Sequence, residues 1–326
     1  MRVLVLGGSG FVGRATVDAL LNTHGITPVI ASRQPIAKQG VETIALNALD
    51  AEALSQVCKN VDAVVNCITG DGHTIEASAR SLVAAIGQSG ANLPVVHMST
   101  MSVYGAQEGT VDEQGPLLDN IGWYGTAKIH AEAEFRSLAQ KGARVNILRP
   151  GCVYGPRSDL WTLRIGRLLK SGSLGDLAVA GDGWSNLVHV RDVASACINC
   201  LTNLQAEGEV RTFNLSAPDS PRWNTYFHDF ALAIEATPLR YLTKGELWLR
   251  SRLMAPPLKV AERICRKLRV DSSFLPDGMP PSLLGLWNQQ IRLDGRALQK
   301  TFNFEWTTYE SGLAESVADF KDKYSV

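Results

Sequence analysis

Val3-Leu4-Val5-Leu6-Gly7-Gly8-Ser9-Gly10-Phe11-Val12-Gly13 joins a short aliphatic run to a glycine-rich turn, and helical spacing of apolar residues follows as far as position 22. The aliphatic run predicts a strand buried on both faces, and the segment after the turn predicts a helix. Glycines at 7, 10 and 13, with Gly8 also available, suit a turn that needs positive φ, close approach of a ligand to the backbone, and a helix packed tightly on a strand. The helix start then offers unpaired N–H groups and the positive end of its dipole to an anion. A strand, a glycine turn and a helix in that order predict a dinucleotide site held by Gly7, Gly8, Ser9, Gly10, Phe11, Val12 and Gly13.

Working outward, residues 28–31, 62–67, 94–98 and 145–148 read as further strands, and 10–22, 51–59, 74–89 and 124–141 as helices. Alternation of this kind predicts an α/β fold of Rossmann type, a doubly wound parallel sheet covered on both faces. Residues 1–150 form the expected cofactor domain, with returning segments at about 185–217. Residues 151–326, looser and richer in turns, form a smaller C-terminal α/β lobe that chooses the substrate.

Composition narrows the function classes. The 32 basic and 32 acidic residues cancel, which argues against a nucleic-acid protein that relies on phosphate attraction. No apolar run approaches the ~20 residues of a membrane span. Six scattered cysteines in 326 residues make no disulfide scaffold. Cys197-Ile-Asn-Cys200 lacks a second pair and reads as a packed helix face, so no metal site is expected. The N-terminus turns into glycines without a long apolar stretch, so no secretory leader and a cytoplasmic location are expected.

A carboxylate about 20 residues beyond the glycine turn would bind the ribose 2′-hydroxyl of NAD. The second strand ends instead in Ser32 and Arg33, a hydroxyl and a guanidinium suited to a 2′-phosphate. NADP(H) is the expected cofactor, with NAD(H) the alternative. Tyr124 and Lys128 stand four apart on one helix face, where an ammonium can bring a phenol toward useful acid/base range. Upstream, Pro94-Val-Val-His-Met-Ser-Thr100 reads as a strand ending in hydroxyls beside the cofactor crevice.

With these motifs the chain resembles the extended short-chain dehydrogenase/reductase family, also called the NAD-dependent epimerase/dehydratase family. The resemblance rests on the glycine stretch 7–13, His97-Met-Ser-Thr-Met-Ser-Val-Tyr-Gly105, Tyr124-Gly-Thr-Ala-Lys128, Leu148-Arg-Pro-Gly-Cys-Val-Tyr-Gly-Pro156 and Val188-His-Val-Arg-Asp-Val-Ala194. It extends to the C-terminal stretch 292–320. It implies Thr100 as the strand-end hydroxyl, Tyr124 as acid/base, and Lys128 as the partner that lowers the Tyr124 pKa and holds the nicotinamide ribose. Ser99 and Ser102 are the neighbouring alternatives to Thr100.

Departures from the family pattern refine the expectation. Met101 and Ser102 follow Thr100 where the sugar dehydratases carry Asp and Glu, so water elimination is not expected. Cys152 stands where many nucleotide-sugar epimerases carry Asn. The leading expectation is hydride exchange with a carbonyl or alcohol carbon of a small, apolar substrate. A nucleotide-sugar epimerase and a non-catalytic NADP(H)-binding regulator are the alternatives. His189 reads as a packed histidine and Asp192 as a support of the fold. Residues 244–269 carry eight basic residues against two acidic, a net of +6, interleaved with apolar side chains, and Pro256-Pro257 is expected to interrupt any helix. That stretch reads either as a solvated helical hairpin or as a lid resting on an anionic membrane. A homodimer is compatible with the sequence.

Overall fold

A computed structural model describes residues 1–34, 38–90, 92–268 and 276–324. The chain starts with β1 (Arg2–Leu6), α1 (Phe11–Leu21), β2 (Thr27–Ser32) and β3 (Glu42–Ala45). It continues through α2 (Ala51–Cys58), β4 (Ala63–Asn66), α3 (Gly72–Ser89), β5 (Val95–Met98), β6 (Gly109–Val111), α4 (Trp123–Gln140) and β7 (Val145–Pro150). The helices start where local chemistry lets them. Asp50 accepts the Ala53 N–H at the head of α2, and Asp71 accepts the Thr74 N–H at the head of α3. Every predicted strand and helix of this half is present within two residues of its expected ends. The exceptions are β3 and β6, which the apolar pattern does not announce: β3 is a four-residue edge strand with no fully buried side chain, and β6 is a three-residue strand outside the main sheet.

Beyond β7 follow β8 (Cys152–Tyr154), α5 (Arg164–Lys170), β9 (Leu187–His189), α6 (Val190–Thr202) and β10 (Val210–Leu215). Then come α7 (Trp223–Ala233), α8 (Lys244–Leu249), α9 (Ala255–Leu268), α10 (Pro281–Trp287), β11 (Ile291–Leu293), α11 (Arg296–Phe302) and α12 (Tyr309–Tyr324). Seven strands form one parallel sheet in the order β10-β7-β5-β4-β1-β2-β3. The chain therefore leaves β1 in one direction and resumes at β4 in the other, so β1 stands at the switch point, where α/β sheets open a crevice for ligands.

Alternation along β1 divides the core. Leu4 and Leu6 face a layer built with α2, α3 and α4, while Val3 and Val5 face a layer built with α1 and α6. Cys197 and Cys200 are buried in the second layer as packing residues. His189 is buried, and its burial pushes the imidazole pKa down to about 4. Asp192 accepts both the N–H and the hydroxyl of Thr307, tying α6 to the segment before α12. A third cluster, built mainly from residues beyond β7, is rich in rings: Phe227 lies between Trp223 at 5.7 Å and Trp287 at 5.1 Å.

Residues 244–268 do not break at the prolines. A wide turn over Arg250–Met254, in which the Ala255 N–H reaches back five residues to the Arg250 carbonyl, separates α8 from α9. Pro256 and Pro257 then fall in the first turn of α9, where a missing N–H costs little. The expectation of an interrupted helix holds only for the α-helical register; the course of the helix continues. Arg269 and the side chains of Lys259, Glu262, Arg263, Arg266 and Lys267 lie outside the described residues.

One buried ion pair crosses the sheet-helix boundary. Arg149, near the end of β7, donates to Glu132 of α4 through Nε at 2.9 Å and Nη2 at 2.6 Å, and both side chains are 1% exposed. The Ser99 hydroxyl donates to the same carboxylate at 2.5 Å. Arg149 Nη1 donates to the Tyr104 hydroxyl at 2.9 Å, which donates to Asn214 of β10 at 2.6 Å. Removing one member strands the other charge in the core, at about 3–5 kcal/mol. Denaturant melts should therefore show Arg149→Met and Glu132→Gln each destabilising by about that amount, with the double variant costing clearly less than the sum. Additive losses would mean that the two groups do not act as a pair.

Candidate active site

The glycine turn is built by close approach. Gly7 has φ +76°, and a Cβ there would lie 2.8 Å from the Cys67 carbonyl oxygen at the end of β4. A Cβ on Gly13 would lie 2.2 Å from the Gly7 carbonyl oxygen, so α1 can sit on the turn only if that position carries no side chain. Gly8 packs against Ile30 and lines neither of the two cavities at the turn, in contrast to the other residues of the turn. No side chain caps α1, whose first N–H groups are left for a ligand. That cradle fits a pyrophosphate, which needs bare backbone and free N–H groups.

Two cavities meet at this turn. The smaller, about 230 Å³, is lined by Gly7, Ser9, Gly10, Ser32, Arg33 and Asn47, which gives it the composition of an adenosine-ribose pocket. Among the described residues no carboxylate lines it. The Ser32 hydroxyl donates to the Gln34 carbonyl, and Arg33 is exposed without an ion-pair partner among the described residues. The larger cavity, about 640 Å³, is lined by Phe11, Val12 and Gly13 on one side and by Thr100, Tyr124 and Lys128 on another. Gly10, Ile68 and Thr69 line both, so the two are continuous along the strand ends.

Each expected polar group has a definite setting there. Thr100 opens a tight turn over Met101–Tyr104, and its oxygen accepts the Ser102 N–H at 3.2 Å. Ser99 is set apart from Thr100 because its hydroxyl is committed to Glu132. Burial raises the Tyr124 phenol above its ordinary pKa, and hydrogen bonding with the side chains of Thr69 and Thr100 pulls the other way. Lys128 is buried, donating to the carbonyls of Met98 at 2.7 Å and Ile68 at 3.3 Å. Desolvation brings its pKa down to about 8, against the raising influence of Cys67 and Glu132. Lys128 is not among the groups that move the Tyr124 pKa here; the ammonium is occupied by main-chain oxygens and the phenol by two threonines.

Sequence reasoning missed Thr69, Trp161 and Leu286. Thr69 follows β4 in a loop without a motif, while Trp161 and Leu286 come from distant parts of the chain and join the cavity only through the tertiary fold. Trp123, 60% exposed, stands edge-on to Tyr124 at 5.8 Å and forms part of the rim. Apart from Lys128, no lysine or arginine lines the larger cavity among the described residues. Met101, Leu160, Trp161 and Leu286 give it an apolar wall, with Asp159 paired to Arg167 at its edge.

Known proteins place this geometry. The chain is 28% identical over 219 residues to the 2′-dehydrokanamycin reductase of Streptomyces kanamyceticus, covering 64% of this chain and 60% of that enzyme, so it spans under two thirds of that relative's length. It is 28% identical over 269 residues to a 3-diazoavenalumate denitrifying reductase of a Streptomyces species, covering 74% of this chain and 84% of the relative. The fold matches that of the UDP-glucuronic acid 4-epimerase from Bacillus cereus, solved with UDP-glucuronic acid and NAD, with TM-score 0.73, 18% identity, 99% of this chain and 100% of the epimerase covered. Residues 3–216 match the profile of the NAD dependent epimerase/dehydratase family, a group of NAD-dependent enzymes. A match over most of the chain makes this protein a member of that family.

Proposed function

We propose that the chain is an NADP(H)-dependent oxidoreductase acting on a carbonyl or alcohol carbon of a small, largely apolar substrate. The observation that carries this reading is the 640 Å³ cavity: it joins Thr100, Tyr124 and Lys128 to the glycine cradle, its wall is largely aromatic and aliphatic, and among the described residues no arginine lines it to meet a diphosphate. The two reductase relatives support the same class. The nucleotide-sugar epimerase reading draws support from the likeness to the UDP-glucuronic acid 4-epimerase, and net consumption of NADPH against isomerisation without cofactor change separates the two.

In this reading residues 1–150, with α6 and β10, hold the cofactor, and most of 151–326 shapes the substrate side. Gly7 and Gly10 to Gly13 hold the pyrophosphate, and Ser32 and Arg33 the adenosine 2′-phosphate. The cofactor, when bound, supplies the redox chemistry as hydride exchange with the substrate carbon. Thr100 and Tyr124 hold the substrate oxygen by their hydroxyls. A phenol kept protonated by burial suits the donor of a proton in reduction, with Thr69 stabilising the phenolate left behind. Two of the three Lys128 protons rest on the Met98 and Ile68 carbonyls, and the third remains for the ribose.

Three outcomes follow. Tyr124→Phe should keep NADPH affinity, read by fluorescence titration, and lose about 10²–10⁴ of turnover; full turnover would assign the proton to another group. Arg33→Ala should weaken NADPH binding by about 1.5–3 kcal/mol, roughly ten-fold or more, and leave NADH binding nearly unchanged. An equal effect on both cofactors, or tighter NADH binding by the native chain, would remove the 2′-phosphate assignment. Because burial lowers the Lys128 pKa to about 8, its ammonium is present below that pH and lost above it. NADPH affinity and kcat/KM should hold from pH 6 to 7 and decline through about pH 8. In Lys128→Arg, whose guanidinium stays charged, that decline should vanish.

A further inference from the structure

We propose that the outer face of the helical segment 244–264 docks on an anionic lipid surface, lying in the interface without crossing it. Leu247, Ser251 and Ala255 recur every four residues and are buried, so this side of the segment faces the protein. The other side presents Trp248, Leu249, Leu253, Met254, Val260 and Ile264, each between 45% and 58% exposed. Seventeen large hydrophobic residues of the described chain are exposed, and six of them fall within these seventeen positions. Scattered exposed apolar residues are ordinary; a concentration of this kind on one element marks a surface that is covered by something.

Charge decides what covers it. Glu246 is taken up by Arg240 and by the Thr243 cap, whereas Lys244, Arg250 and Arg252 have no ion-pair partner among the described residues. In sequence the stretch 244–269 carries a net of +6 within a neutral chain, so the rest of the protein sums to −6. A second copy docking through the same face would set Lys244, Arg250 and Arg252 against their own counterparts, which disfavours a self-complementary dimer there. An anionic bilayer meets both features at once: its interface accepts the apolar side chains, and its headgroups attract the basic ones at about 1 kcal/mol each. No helix among the described residues is long and apolar enough to cross a membrane, which agrees with a segment that lies on the surface. The wide turn of this segment packs against α10, and α10 contributes Leu286 to the larger cavity, so the docking face and the cavity wall share a support.

The test is sedimentation of the whole chain with phosphatidylcholine vesicles and with vesicles in which part of that lipid is replaced by phosphatidylglycerol. The expected result is binding to the mixed vesicles that falls as salt rises, with a blue shift of tryptophan emission that is absent in Trp248→Ala. Leu253→Glu/Ile264→Glu should reduce vesicle binding by about ten-fold or more, with an unchanged melting temperature because both sites are exposed. Should that variant melt early, Lys244→Glu/Arg252→Glu supplies the same test through charge alone. No binding to the mixed vesicles, or binding that neither variant weakens, would overturn the proposal. So would self-association in the ultracentrifuge that Leu253→Glu/Ile264→Glu abolishes, or an acidic protein that binds this face while the vesicles do not.

Discussion

The Glu132–Arg149 pair holds together the part of the molecule on which everything near the cavity depends. A carboxylate and a guanidinium, each almost wholly out of water, meet in two parallel hydrogen bonds between α4 and β7. Burying two charges is costly, and such a pair is sustained only when every remaining donor and acceptor finds a partner. Here Ser99, Tyr104 and, through Tyr104, Asn214 complete the set. The network pins the end of β5 to α4 one residue before Thr100 and one turn beyond Lys128 along the helix. Two hydroxyls and an ammonium that must converge from a strand end and a helix are thereby held to one geometry.

The same economy recurs at Lys128. Its ammonium is buried without a carboxylate in direct contact and is satisfied by carbonyls at the ends of β4 and β5. Burial takes the charge out of water and lowers its pKa, and carbonyl dipoles offset that loss less than a carboxylate in direct contact would. A group that titrates near neutrality in a dry pocket is more responsive to a bound partner than an exposed lysine.

What was legible in the sequence was local. The strand, glycine turn and helix at 2–21, and the Tyr124–Lys128 spacing on one helix, need only a few neighbouring residues to be recognised. The fold followed, because alternating strands and helices leave few topologies open. The missed features are those that sequence neighbours do not encode. The edge strand β3 has no buried face to impose a period of two. Glu132 and Arg149 lie seventeen positions apart on different elements, and nothing in either neighbourhood marks them as partners. Thr69, Trp161 and Leu286 reach the cavity from three separated loops and helices, so their adjacency exists only after folding. The prolines at 256 and 257 were read as breaks because proline cannot sit inside an ordinary helix; a turn of wider pitch ahead of them was not foreseen.

Gly10, Cys67, Ile68 and Thr69 line both cavities where the one runs into the other. Two groups seated in adjoining parts of one continuous crevice cannot bind as strangers. Any shift that the first imposes on Thr69, whose side chain hydrogen-bonds Tyr124, changes the surface offered to the second. Linkage requires the influence to be equal in both directions when expressed as free energy. The shared lining thus makes the two pockets a single thermodynamic unit, in which affinity measured for one occupant has meaning only when the state of the other is specified.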